Sequence, residues 1–337
     1  MRKFVPAFVL AFGLLQVPAM AEEVNLYSYR QEALIKPLLD AFTQKTKIKV
    51  NLVSGGEDAL IERLKAEGAA SPADLLMTVD AGRLVRAKDA GLFQPVKSPA
   101  IDEIVPAALR DPEGMWTALS MRARPIMYAV DRVKPADLST YEDLASAKWK
   151  GKICVRSSSH IYNQSMLSAM IEAVGPAKAE AWAKGLAANL ARKPQGGDRD
   201  QIKAIAAGEC DVALVNTYYL AGMLASKDAA DSDAAAKVKV FWPNQADRGT
   251  HVNISGIGVT KSAKNIPQAV ALIEFLLSDE AQKIYAEVVG EFPIKAGVAR
   301  SAAVASFGPF KAETVSLATL SKHNPEAVRI FDRVGWP

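Results

Sequence analysis

The sequence predicts an α/β protein with two sheet units, and three observations support this fold class. Short apolar runs typical of strands alternate with runs whose apolar residues recur at helical spacing, over residues 24–79 and again over residues 152–216. Extended apolar segments at residues 123–130 and 250–260 could each carry the chain between the units. This βαβ rhythm implies mostly parallel sheets with helices on both faces and a ligand site at the carboxyl ends of the strands.

Each element is predicted from its own local pattern. The first unit should contain a strand at 24–29, a helix through Leu34, Leu38 and Phe42, a strand at 48–52, a helix at 60–68, a strand at 73–79, and a returning helix pair at 267–277 and 279–288. The second should contain a turn capped by Thr140, a strand at 152–156, helices at 162–174, 176–192 and 199–207, and a strand at 211–216. Residues 227–236 are expected to be a surface loop and residues 192–200 a turn.

The chain begins with the pattern of a signal peptide at residues 1–21. Arg2 and Lys3 precede an apolar run, and Ala19-Met20-Ala21 supplies the small-x-small pattern that signal peptidase accepts. No later stretch approaches the about 20 uncharged apolar residues of a spanning helix. We therefore expect an exported, soluble mature chain from Glu22.

Two domains are expected in the mature chain. An N-terminal domain would comprise residues 22–121 and 246–296, and a C-terminal domain residues 122–245 and 297–337. Two crossing segments would join these domains.

Composition excludes several classes of protein. Of 337 residues, 50% are hydrophobic and 23% charged, which excludes disordered, collagen-like and disulfide-scaffold chains. Without Arg2 and Lys3, 39 basic residues face 37 acidic ones, a net charge of +2. Basic runs interleaved with aromatic residues do not occur, so no nucleic-acid partner is expected.

The two cysteines, Cys154 and Cys210, leave two alternatives open. Each precedes or begins a predicted strand of the second unit, so a bridge could form in an oxidising compartment if those strands pair. Two buried free thiols fit the spacing equally well. We predict the disulfide.

No enzyme signature is found in the sequence. It contains no GxSxG elbow, P-loop, GxGxxG, HExxH or CxxC pattern. His160, His251 and His323 are far apart and lack zinc-ligand spacing. His251 is predicted to be a structural hydrogen-bonding group.

Tyrosines are the most informative side chains. Tyr218 and Tyr219 directly follow the predicted strand at 211–216, and Tyr162 follows the strand at 152–156. Both positions lie where a ligand site is expected. Taken alone, these positions are better explained by core tyrosines with hydrogen-bonded hydroxyls than by ligands.

A resemblance to a known family favours the ligand role. The carrying segments are LYSYRQ from Leu26, SPADLLMTVDAGRL from Ser71, CVRSSSHIYNQS from Cys154, NLARKPQGGDRDQIKAI from Asn189, ALVNTYYL from Ala213 and GTHVNISG from Gly249. Together they resemble the periplasmic ferric-ion-binding proteins of bacterial ABC importers, over essentially the whole mature chain. The resemblance implies a type II periplasmic binding protein fold with two Rossmann-like domains. It also implies a monomeric periplasmic receptor that delivers Fe(III) to an inner-membrane ABC permease.

The resemblance assigns Tyr162, Tyr218 and Tyr219 as metal ligands. Ferric ion is a hard trication that prefers anionic oxygen, so three phenolates would neutralise it. In some family members a His or Tyr shortly after the first strand also ligates. The corresponding stretch of this chain is Tyr29-Arg30-Gln31-Glu32, which contains no His.

That departure resembles the subgroup that completes the shell with a bidentate carbonate as synergistic anion. Arg30 and Arg122 match the basic positions that contact the anion, and their two charges would balance the carbonate dianion. Gln31 and Glu32 could contact the site as well. The alternative function is a receptor of the same fold for an organic anion or a polyamine. An enzyme is not expected, because no nucleophile with an adjacent base is readable.

Overall fold

The computed structural model describes residues 22–56, 58–314 and 316–337, so the predicted signal peptide lies outside the described residues. The strands of the described chain are β1 Glu23–Ser28, β2 Lys49–Ser54, β3 Leu75–Thr78, β4 Thr117–Ala123, β5 Ile126–Ala129, β6 Ile153–Cys154, β7 Val212–Leu214, β8 Val238–Phe241, β9 Val252–Val259 and β10 Phe292–Pro293. They form two sheets.

Helices connect and cover these strands. They are α1 Glu32–Thr46, α2 Ala59–Glu67, α3 Ala81–Asp89, α4 Pro99–Ile104, α5 Ile161–Val174, α6 Pro176–Ala188, α7 Asp198–Ala206, α8 Thr217–Leu224, α9 Ala229–Ala236, α10 Ile266–Leu276, α11 Asp279–Ile284, α12 Ala302–Ala305 and α13 Leu317–Val334. A π-helical turn, Tyr285–Val289, follows α11, and single 3₁₀ turns lie at Gly68–Ala70, Ala107–Leu109, Pro135–Asp137, Glu142–Ala145 and Ala147–Trp149. None of the described helices has the length and apolar character needed to cross a bilayer.

The two sheets are mixed. The first has strand order β10-β4-β9-β3-β1-β2 and the second β6-β7-β5-β8. Among the strands of the described residues, only the pairs β1–β2, β1–β3 and β6–β7 are parallel. The expectation of mostly parallel sheets is therefore wrong. The strands next to the crossings, β4, β5 and β9, pair antiparallel to their neighbours.

Two crossings connect the sheets. Strand β4 of the first sheet is followed after two residues by β5 of the second, and the chain returns from β8 to β9. The predicted segment 250–260 corresponds to β9, whereas the segment 123–130 covers only β5 and the last residue of β4. The domain limits stay a prediction.

The C-terminal helix α13 contributes to the cores of both sheets. Leu317 and Leu320 near its start are buried in the core of the first sheet, while Ile330 and Phe331 near its end are buried in a core of the second. Burying such side chains contributes about 1.5–3 kcal/mol each. This helix was not predicted. It packs into the cores of both units and thus links them in addition to the two crossings.

Two segments predicted to be irregular differ in the structure. Residues 229–236 form α9, because the Asp228 carboxylate accepts a hydrogen bond from the amide of Ala230 at 3.0 Å and alanine favours helix. The predicted turn at 192–200 ends early, since α7 already begins at Asp198.

A disulfide joins Cys154 and Cys210, whose Cα atoms are 5.9 Å apart. Cys154 lies in β6 and Cys210 just ahead of β7, and these strands are parallel neighbours. The predicted bridge is confirmed. It joins the chain eight residues ahead of Tyr162 to the chain eight residues ahead of Tyr218.

Candidate metal centre

Two strand-to-helix junctions of the second sheet position the three predicted tyrosines. Tyr162 is the second residue of α5, and Tyr218 and Tyr219 are the second and third residues of α8. At the start of α5, the Nδ1 atom of His160 accepts a hydrogen bond from the Tyr162 amide at 3.2 Å. Because β6 and β7 are parallel, the helices that follow them begin at the same edge of the sheet.

The structure brings the three phenol rings together. The Tyr162 and Tyr218 hydroxyls are 2.9 Å apart, and the rings of Tyr218 and Tyr219 lie with centroids 4.1 Å apart. A cavity of about 260 Å³ is lined by Tyr29, Arg30, Gln31, Leu34, Val79, Arg83, Arg156, His160, Tyr162, Tyr218 and Tyr219. Its walls therefore come from both sheet units.

Burial keeps the Tyr218 and Tyr219 phenols protonated when no cation is present. Burial, followed by the proximity of Tyr162, raises the pKa of Tyr218 well above its ordinary value and raises that of Tyr219 as well. A coordinated cation is what removes a proton from such a group. Tyr218 and Tyr219 thus present neutral hydroxyls that a coordinated cation would convert to anionic oxygen donors.

Three guanidinium groups surround the ring of Tyr162. The Cζ atoms of Arg156, Arg122 and Arg124 lie 5.4, 5.5 and 5.8 Å from its centroid. The buried Asp198 carboxylate accepts a hydrogen bond from Arg124 at 3.1 Å and lies 3.5 Å from Arg156. The Tyr162 ring thus lies within cation–π distance of three positive charges.

Arg124, Arg156 and Asp198 were not predicted as site residues. The alternation of side chains along a strand could have indicated Arg124, because it lies two residues after Arg122. No local signal marks Asp198, which contacts these arginines only through the tertiary fold.

His160 is held as a neutral imidazole at the cavity wall. Burial, followed by the charges of Arg156 and Arg124, lowers the pKa of His160 to about 2. Its ring packs edge-on against Tyr162 with centroids 4.4 Å apart. It therefore adds no positive charge to the site at neutral pH.

Arg30 lines the cavity from the first sheet unit. Its Nη2 atom donates to a Glu291 carboxylate oxygen at 2.8 Å and to the Ser255 hydroxyl, while its Nε atom is buried without a partner among the described residues. Burial lowers the pKa of Arg30, but the neighbouring Glu291 carboxylate more than offsets this and raises it above its usual range. Arg30 therefore stays charged at the wall.

The other predicted anion contacts are placed differently. Arg122 does not line the cavity; its Cζ atom lies 5.5 Å from the ring centroid of Tyr162. Its guanidinium donates to the Val79 carbonyl and lies 3.4 Å from Asp80. Gln31 is exposed and lines the cavity, whereas Glu32 is the exposed first residue of α1 and does not.

His251 has the surroundings expected of a structural group. Its Nδ1 atom pairs with the buried Glu313 carboxylate, and it does not line the tyrosine cavity. Within the described residues, no three His, Cys, Asp or Glu side chains cluster as metal ligands.

Residues 70–307 match the family of bacterial extracellular solute-binding proteins. This chain belongs to that family. Among relatives of this solute-binding protein, iron uptake protein A1 of Synechocystis sp. is 50% identical over 319 residues, covering 95% of this chain and 89% of the relative.

Solved structures confirm the predicted fold. The Trichodesmium protein IdiA (FutA), in complex with iron and citrate, superposes with a TM-score of 0.89 at 51% identity, covering 94% of this chain and all of that one (100%). A ferric binding protein from Campylobacter jejuni gives a TM-score of 0.90 at 41% identity, covering 93% of this chain and 100% of its own. The fold is therefore the type II periplasmic binding protein fold, and the resemblance to ferric-binding proteins is confirmed.

Proposed function

We propose that this solute-binding protein is a periplasmic receptor that binds Fe(III) in the cleft between its two sheet units and delivers it to an ABC importer. The observation that carries the proposal is the cluster of Tyr162, Tyr218 and Tyr219, with two hydroxyls 2.9 Å apart on a cavity reached from both units. The names of the similar proteins, which refer to iron uptake and ferric iron, support it.

The donor chemistry matches ferric iron. Fe(III) prefers hard anionic oxygen, and phenolate is the most basic oxygen donor that a side chain offers. Three phenolates balance the trication, but three donors leave an octahedral shell incomplete. A small anion would fill the remaining positions.

We assign the anion to the Arg30 side of the cavity and expect carbonate. Arg30 lies in the wall with a buried Nε donor that has no partner among the described residues, which suits an anionic acceptor. Arg122 stays a predicted partner, because its Nη1 atom is also buried without a partner among the described residues, although Arg122 does not line the cavity. Citrate is a second candidate, because the similar Trichodesmium protein holds iron with citrate.

The proposed transport role depends on a difference in ligand affinity between the open and closed forms of the receptor. A receptor of this fold presents its closed form to the permease, since the ligand stabilises closure of one unit against the other. We propose an ABC permease of the inner membrane as the partner, a monomeric receptor, and no enzymatic turnover.

Titration of metal-stripped protein tests the proposal. Fe(III) should produce an orange-red phenolate-to-iron band in the presence of bicarbonate or citrate. A receptor for an organic anion or a polyamine would stay colourless, and that result would reject the iron function.

A further inference from the structure

Glu291 is a buried carboxylate beside the cavity wall, and it lies outside every segment that carries the family resemblance. It lies between the π-helical turn and β10, and it is 1% exposed. Its oxygens accept hydrogen bonds from Arg30 at 2.8 Å, from the Ser255 hydroxyl at 3.1 Å and from the Ser120 hydroxyl. Glu291 thus anchors Arg30, although the two residues are 261 positions apart in the chain.

These contacts keep Glu291 ionised. Burial raises the pKa of the carboxyl, but Arg30, Arg122 and the Ser120 hydroxyl outweigh burial and hold it below its usual range. The Arg30 charge is therefore already paired before any ligand arrives. The predicted charge balance, in which Arg30 and Arg122 alone neutralise the carbonate dianion, omits the negative charge of Glu291.

The charge of Glu291 acts differently on the metal and on the anion. When three neutral phenols exchange their protons for one ferric ion, the net charge of the site does not change. A nearby fixed charge then has little net effect on that step. An incoming carbonate or citrate does bring negative charge, so repulsion from Glu291 opposes it.

We infer that Glu291 is a positioning residue for the anion, which fixes Arg30 at the cavity wall and at the same time keeps the anion weakly held. The inference rests on the proposed Fe(III) function. A weakly held anion is useful in a receptor that must release its cargo, because loss of the anion opens the metal shell.

The decisive variant is Glu291→Gln, which keeps the shape and the acceptor for Arg30 but removes the charge. Its half-saturating bicarbonate concentration in the presence of Fe(III) should fall on the order of tenfold, the equivalent of one pK unit. The wavelength of the phenolate band should not move, because the tyrosines are untouched. The matched control is Glu313→Gln, since Glu313 is also buried and paired, but its partner His251 does not line the cavity, whereas the partner of Glu291, Arg30, does. It should leave the bicarbonate response unchanged.

Glu291→Asp separates positioning from charge. The shorter side chain keeps the charge but withdraws it from Arg30, so its half-saturating bicarbonate concentration should rise above that of the parent. This variant also keeps the inference testable if Glu291→Gln does not fold by circular dichroism.

The outcomes are distinct. A Glu291→Gln response equal to or weaker than that of the parent, or a Glu291→Asp response equal to it, overturns the role of Glu291 while the iron function stands. A parent that binds iron but ignores bicarbonate and citrate rejects the anion site and the inference together. A parent without an iron band rejects the proposed function itself.

Discussion

The two sides of the cavity differ in the charge state of the groups that they present. On the tyrosine side, the second sheet presents three clustered phenols, two of them joined by a hydrogen bond of 2.9 Å. On the arginine side, the first sheet presents an ion pair, with Arg30 and Glu291 in contact at 2.8 Å. Under the proposed function the tyrosines lose protons when iron binds, whereas Arg30 and Glu291 are already charged and paired. This difference predicts that the two sides control different properties of the receptor.

The largest effect is expected on the tyrosine side. Replacing Tyr218 or Tyr219 with Phe removes an anionic ligand and should abolish or strongly shift the visible band, even at high iron. Tyr128→Phe is the matched control, because Tyr128 is a buried tyrosine of β5 outside the cavity wall. If either site variant coloured like the parent and the control, that tyrosine would not be a ligand.

Low pH should weaken iron binding through the same tyrosine side of the cavity. Because burial raises the pKa of Tyr218 and Tyr219, the free protein holds these protons throughout the neutral range, and iron must expel them. As pH falls, protons compete and iron is released. Each proton expelled changes the affinity about tenfold per pH unit, so two or three give roughly a hundredfold to a thousandfold.

Competition titrations with a chelator at several pH values would measure this slope. Uptake of more than one proton per iron released is the expected result, and a flat affinity across the acid range contradicts phenolate ligation. Matching ionic strength at each pH excludes a simple screening effect.

The tyrosine side was also the more predictable one. Tyr162, Tyr218 and Tyr219 follow the ends of β6 and β7 by four to eight residues, so local pattern and the family resemblance were enough to bring them together. Glu291 contacts Arg30 across 261 residues, and Asp198 contacts Arg124 across 74, so no local pattern could reveal either pair. Strand β4 was missed for a related reason. Its burial is almost uniform, so it lacks the alternation that marks a half-buried strand.

The arginine side should give a smaller effect of a different kind. Arg30→Ala leaves the phenolates intact, so the protein should still colour with iron, yet bind it on the order of ten- to a hundredfold more weakly. Its affinity should also respond much less to added bicarbonate. Arg122→Ala is the comparison, because Arg122 lies outside the cavity wall and pairs with Asp80.

The two arginine variants locate the anion. If the Arg30 variant keeps the full bicarbonate dependence of the parent, the anion site is misplaced, and Gln31, which lines the cavity, becomes the better first-unit contact. A larger loss of bicarbonate response in the Arg122 variant would instead place the anion next to Arg122, near the Tyr162 ring.

The smallest effect on iron is expected from the disulfide at the base of the tyrosine side. Replacing Cys154 and Cys210 together with Ala should lower the free energy of unfolding of the iron-free protein by about 2–4 kcal/mol, because the bridge closes a long loop in the unfolded chain. The iron band should persist, since the pairing of β6 with β7 and the contact between Tyr162 and Tyr218 still hold the tyrosines together. The parent, denatured without reductant, should show no reactive thiol, and two thiols would contradict the bridge. If the double variant instead lost iron affinity as severely as Tyr218→Phe, the geometry of the tyrosine side would depend on the covalent link rather than on packing. The tyrosine side would then be less preorganised than the ion pair that faces it.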